Sequence, residues 1–136
     1  MLAFHIGGKE AEFVRVSILQ DNGDGWFSAD VEVIVGGFRG RYKADFNSWA
    51  FSDFYTELKA LYKNLAGSAK FTSYEAQLEL ILTCSATGHI KIQGEAMDFP
   101  GTGNKLIFNL EADQTYVPTI LRDLQLALHR YPVRTV

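Results

Sequence analysis

A chain of 136 residues with 47% hydrophobic and 21% charged side chains excludes disorder and fits one globular domain that buries its own core without disulfides or metal. A formal net charge of -3 argues against a generic nucleic-acid binder, which needs a basic surface to release counterions from phosphates. The single cysteine, Cys84, cannot form an internal disulfide and fits a reducing compartment.

The N-terminus, Met-Leu-Ala-Phe-His-Ile-Gly-Gly, has neither a charged start nor an uninterrupted apolar run, so no secretory signal is expected. No apolar stretch reaches membrane-spanning length. The expectation is a cytoplasmic protein without membrane association, folded as a single domain over residues 1–136.

Leu2, Phe4 and Ile6 alternate with Ala3 and His5, and Gly7-Gly8 follow, which predicts a short strand and a turn. Val14, Val16 and Ile18 mark a second strand over residues 11–19. Asp21-Asn-Gly-Asp-Gly25 then has the chemistry of a loop. It superficially suggests a calcium loop, but alignment on Gly25 puts Gln20 at the first ligand position and Val31 at the last, where a bidentate glutamate is needed. Two readings remain: a solvated strand connection, or an acidic, Trp26-flanked loop that contacts a basic partner.

From Trp26 to Val35, Phe27, Ala29, Val31, Val33 and Val35 share one side of a strand and Ser28, Asp30 and Glu32 the other. Gly36-Gly37 suits a two-residue hairpin turn. That turn fixes a register: Val35 opposite Phe38, Val33 opposite Gly40, Val31 opposite Tyr42. On the polar side it sets Glu32 against Arg41 and Asp30 against Lys43, pairs of opposite sign that support it independently. Arg39, Arg41 and Lys43 therefore form an intramolecular charge ladder rather than a phosphate surface.

A helix follows, from Ser52 or slightly earlier to Leu65, with Phe54, Leu58, Leu61, Tyr62 and Leu65 as its apolar stripe. Ser48 and Ser52 are candidate N-caps, and Gly67 is placed for a left-handed C-terminal residue. Phe46, Trp49 and Phe51 cluster before this helix, where they either staple its start or leave an apolar patch.

The second half repeats the plan. Residues 76–85 form a strand with Leu78, Leu80, Leu82 and Cys84 inward; residues 89–98 form another through Ile90, Ile92, Gly94 and Ala96. A three-residue loop, Ala86-Thr87-Gly88, with Gly88 left-handed, pairs Cys84 with Ile90 and Leu82 with Ile92. It also sets Glu79 against Glu95, a repulsive pair unless another group intervenes. After the turn Pro100-Gly-Thr-Gly-Asn104, the stretch from Lys105 to Tyr131 shows both hydrophobic periods side by side. Leu106, Phe108 and Leu110 alternate as in a strand. Val117, Ile120, Leu121, Leu124, Leu128 and Tyr131 form one helical stripe closed by Pro132, and the two elements are expected to pack on each other. The order, strands then helix twice without crossovers, predicts an α+β domain: an antiparallel curved sheet built from two halves, with two amphipathic helices packed on it.

No catalytic signature emerges. His5, His89 and His129 lie on three elements, none paired at a metal-binding spacing, and no second cysteine is present. Gly101-Thr-Gly-Asn-Lys105 lacks phosphate-loop spacing and leads into a strand instead of a helix. Catalytic, metal and cofactor-binding residues are therefore unassigned, and no cofactor is expected.

The strand from Trp26 leading into Gly37-Phe38-Arg-Gly40, the Gly88-His-Ile90 turn, and Asp113-Gln-Thr-Tyr116 with Tyr131-Pro132 after the last helix resemble a family of small bacterial proteins that includes WapI-type immunity proteins. The resemblance covers most of the chain from Trp26 onward. It implies a non-enzymatic, antitoxin-like role: binding a cognate toxin domain and blocking its active site. No family functional residues carry over, because the shared motifs are turns and caps. The mildly acidic surface suits a basic partner, and Asp21, Asp24 and Trp26 are the expected contacts. Two alternatives stand beside this. One is a small-ligand binder or enzyme with a cleft between sheet and helices, using Tyr116, His89 and Arg122. The other is a structural subunit that dimerises through a sheet edge or the Phe46–Phe51 cluster; the oligomeric state is not legible.

Overall fold

The glycine hairpin organises the first half as its sequence requires. β3 (Trp26–Val35) and β4 (Phe38–Asn47) pair antiparallel with Val35 opposite Phe38, Val33 opposite Gly40 and Val31 opposite Tyr42, and Gly36 takes the left-handed φ of 56°. The structure, a computed structural model, describes residues 1–9 and 12–134. β1 (Leu2–Lys9) and β2 (Glu12–Asp21) complete a four-stranded sheet in the order β1-β2-β3-β4. After helix α1 (Ser48–Asn64), β5 (Gly67–Phe71), β6 (Leu78–Cys84), β7 (His89–Met97) and β8 (Lys105–Asp113) form a second sheet, β5-β6-β7-β8. A 3-10 turn (Gln114–Tyr116) leads into α2 (Val117–Arg130). The α+β expectation holds, with each half closing its own antiparallel sheet.

Both sheets and both helices contribute to one continuous apolar cluster. Its hub is Phe71, whose ring lies 5.2 Å from those of Phe4, Phe46 and Phe51 and 5.8 Å from that of Phe54. Steeply inclined rings at these spacings add to the burial term. Phe71 belongs to β5, a five-residue strand that sequence reading did not anticipate.

The structure corrects several local expectations. A register irregularity between Leu2 and Phe4 turns Ala3 inward and leaves Leu2 at the surface. The turn after Gly7-Gly8 and the start of the second strand, with Ala11, fall outside the described residues. Helix α1 begins at Ser48, and its N-cap is Asn47, which makes no side-chain cap bond. Ser52 Oγ instead donates back to Trp49 O at 3.1 Å. At the far end Leu65 takes the left-handed conformation (φ 49°) at the cap, Gly67 also has the positive φ expected of it (90°), and both Leu65 and Tyr62 are exposed. Of the Phe46, Trp49 and Phe51 cluster, the two phenylalanines are core, fully buried and meeting edge to face at 5.8 Å, while Trp49 stays half-buried at the surface. Helix α2 packs against β1 and α1, not chiefly against the preceding β8, so each helix reaches beyond the sheet it follows. The charge ladder is also rearranged. Arg41 and Lys43 both reach Asp30, at 3.3 and 3.8 Å, while Glu32 is taken by Arg15 from β2.

The second hairpin follows its sequence-based register, Cys84 opposite Ile90 and Leu82 opposite Ile92, with Gly88 at φ 79°. Glu79 does face Glu95, and Thr72 Oγ1 donates to the Glu79 carboxylate at 3.1 Å.

β4 is an edge strand, and the segment between β5 and β6 seals it. Asp45 N donates to Gln77 Oε1 at 3.1 Å, Asn47 N donates to Ser73 Oγ at 2.9 Å, and Tyr42 Oη donates to Gln77 O. Asn47, Ser73 and Gln77 are polar residues buried to within a few per cent, so each needs these partners. Covered in this way, the end of the edge over residues 43–47 is unavailable as a template for a further strand.

Candidate functional site

Three segments converge at one corner of the molecule: the β2–β3 loop, the start of α1 and the loop after β5. Polar groups beneath the surface tie them together. Ser48 N donates to Gly25 O at 2.8 Å, which joins α1 to the first loop. Asn47 Oδ1 accepts from Ser73 Oγ at 2.7 Å and from Tyr74 N at 2.9 Å, which joins the third segment to the second. The C-terminal tail crosses the same place, with Arg134 N donating to Ser48 Oγ and Ser48 Oγ donating to Arg134 O.

Above this polar layer lie three aromatic rings. Tyr74 is 77% exposed and meets Trp49 edge to face at 5.3 Å and Trp26 at 6.5 Å. Both tryptophans are half-buried. Asp24 is exposed and accepts from Trp26 N at 3.1 Å, so the loop's acid and its aromatic are held together. Asp21 is more engaged. Arg134 Nε donates to its Oδ2 at 2.9 Å and Gly23 N to its Oδ1 at 2.9 Å. The Arg134 guanidinium, helped by the Gly23 N–H, holds its carboxyl below the usual carboxylate range.

Asp21, Asp24 and Trp26 therefore lie on one surface region. Trp49, singled out in the sequence only as part of the Phe46–Phe51 cluster, joins them there, as does Tyr74, which the sequence did not single out. Tyr74 lies in a loop without hydrophobic period, and only the buried Asn47 brings it to the tryptophans.

The alternative set is only partly assembled. His89 and Tyr116 line an open groove of about 560 Å³ with Glu12, Glu111 and Asp113; Arg122, exposed on α2, is not part of its wall. Two of these carboxylates serve the backbone: Glu12 accepts from Gly36 N and Asp113 from Thr115 N, each at 2.9 Å. The remaining pair, His89 Nε2 and Glu111 Oε2 at 3.2 Å, is solvent-exposed. Among the described residues no three His, Cys, Asp or Glu side chains are grouped as metal ligands, and no helix is long and apolar enough to cross a membrane.

A sequence profile of the immunity protein WapI-like family matches residues 5–132. The chain belongs to that family. The match spans both halves of this WapI-like chain, including the residues of both helices and of the aromatic corner. No curated protein matches the chain. Among solved structures, the MRP1/MRP2 proteins of Trypanosoma bruciei are similar at a TM-score of 0.52 and 12% identity, over 96% of this chain and 82% of theirs. A guide-RNA-binding protein complex bound to a gRNA is similar at 0.53 and 13%, over 93% and 89%. At such identities the likeness is one of fold. The CdiA-CT/CdiI toxin and immunity complex of Enterobacter cloacae is similar at 0.46 and 10%, over 81% and 94%, a likeness too loose to carry weight.

Proposed function

We propose that this WapI-like protein is a non-enzymatic immunity protein that binds a cognate toxin domain and blocks it, with the surface carrying Asp21, Asp24 and Trp26 as its contact face. The family match over residues 5–132 carries the reading. The corner supports the choice of face: one exposed and two half-buried aromatic rings over a fixed polar layer are what interface anchors need, because little side-chain freedom is lost on docking. The absence of catalysis is supported by the groove at His89, where Glu12 and Asp113 hold backbone N–H groups. The proposed compartment is the cytoplasm, in keeping with a lone, buried Cys84.

The test is growth rescue. Cells that express a candidate cognate toxin domain are co-transformed with the wild-type protein or with the Asp24→Lys, Trp26→Ala double variant. Wild type is expected to restore growth and the folded double variant to fail. Rescue by neither overturns the immunity reading; equal rescue by both overturns the choice of surface.

A further inference from the structure

The aromatic corner has a charge bias as well as a shape. Its three segments, residues 21–28, 45–53 and 73–75, carry Asp21, Asp24, Asp45, Asp53 and Glu75 and contain no lysine or arginine. Asp53 follows Trp49 by four positions on α1, a spacing that puts both on one helix face. Asp45 flanks the corner on the β3–β4 face, where Ser28 Oγ donates to its Oδ1 at 3.1 Å. Arg134, on Asp21, brings the positive charge to this region, and it arrives from the tail 113 positions away.

We propose that the Trp26–Trp49–Tyr74 corner receives an arginine side chain of a protein partner. This deepens the reading above and rests on it for the partner's identity, not for the chemistry of the subsite. A planar guanidinium stacks on aromatic faces and is less strongly hydrated than an ammonium, so it is the cation that gains most from rings bordered by carboxylates. The Arg134–Asp21 contact shows the arrangement within the chain itself: a guanidinium held by one of these carboxylates at 2.9 Å. Asp24, exposed beside Trp26, offers the same acceptor to an incoming residue. Rigid backing matters here, because Asn47 and Ser73 fix the Tyr74 loop before any partner arrives. Phosphate is the wrong ligand for such a surface. Bases of single-stranded RNA could stack on the rings, but their backbone would meet a region whose acids outnumber its one arginine.

The protein contains two tryptophans, Trp26 and Trp49, so its intrinsic tryptophan emission reports on this corner alone. The test titrates the full chain with a capped tetra-arginine peptide and follows that emission, with tetra-glutamate and octa-uridine as comparison probes. A saturable change with tetra-arginine is expected, weakened about fivefold by Tyr74→Ala, retained by Tyr74→Phe, and weakened again by Asp24→Asn. Because Tyr74 is mostly exposed, Tyr74→Ala is expected to fold, and its melting temperature checks this. No saturable change, an affinity indifferent to Tyr74→Ala, or a response to octa-uridine in place of tetra-arginine overturns the proposal. If the toxin domain binds but Tyr74→Ala leaves its affinity intact, the arginine subsite fails while the immunity reading stands. If the peptide binds as expected and the toxin domain does not, the subsite stands and the immunity reading fails.

Discussion

Replacing Asn47 by alanine removes a single acceptor that serves one buried and one part-buried donor. Asn47 is 1% exposed, and its Oδ1 accepts from Ser73 Oγ at 2.7 Å and Tyr74 N at 2.9 Å. Leaving a buried donor without a partner costs about 1–2 kcal/mol in such sites, so the two together should lower stability by about 2–4 kcal/mol. For a domain of this size that is a fall in melting temperature of about 10 °C. Urea unfolding followed by tryptophan emission and far-ultraviolet circular dichroism measures it, and the midpoint should fall with the slope unchanged. Asn22→Ala is the matched control. Its side chain donates to Ser28 Oγ at the surface, and its loss should cost no more than about 0.5 kcal/mol. The two halves are joined partly through Asn47, so native emission should shift as the Tyr74 loop loosens against Trp49. If Asn47→Ala is no more costly than Asn22→Ala, the buried polar tie does not hold the corner and the reasoning fails.

Gly94→Ala should destabilise by about 1–3 kcal/mol, because a Cβ there would lie 2.2 Å from the buried Phe108 ring; a melting curve within 1 °C of wild type would contradict this. His5, stacked on Phe13 at 4.8 Å, has its pKa lowered by burial and by Arg15, with Asp123 acting in the opposite sense. The unfolded chain then takes up a proton below about pH 6.5 more readily than the folded one, so stability should decline as pH falls through that value. His5→Phe should flatten the decline, as pH-dependent melting would show. Asp21 acts in the same direction over a lower pH window: its depressed pKa stabilises the fold above about pH 4, and the contribution is lost as pH falls further. Arg134→Ala should remove most of that acid dependence, read from the same melts.

The elements most legible in the sequence were those whose pairing is local. Gly36-Gly37 and the opposite charges of Asp30 and Lys43 fix the β3–β4 register within a few residues of the turn, and Gly88 does the same for β6–β7. What escaped was set at a distance. β5 is short and buries only Ala69 and Phe71, too few positions for a period to show, although Phe71 is the hub of the core. Leu2 and Ala3 exchange faces through an irregularity that no local pattern encodes. Ser48 looked like a cap because caps are often serine, but its hydroxyl is engaged by the tail at Arg134. The contact face divides in the same way. Asp24 and Trp26 could be chosen from one loop, while Trp49 and Tyr74 join them only through tertiary hydrogen bonds.

The most direct measurement is calorimetric titration of the cognate toxin domain with wild-type protein and with Trp26→Ala. Wild type should bind one to one, and Trp26→Ala, folded and monitored by circular dichroism, should bind at least about thirtyfold more weakly, as for a truncated aromatic anchor. Absence of heat with the wild-type protein, or equal affinity for both, would contradict the account.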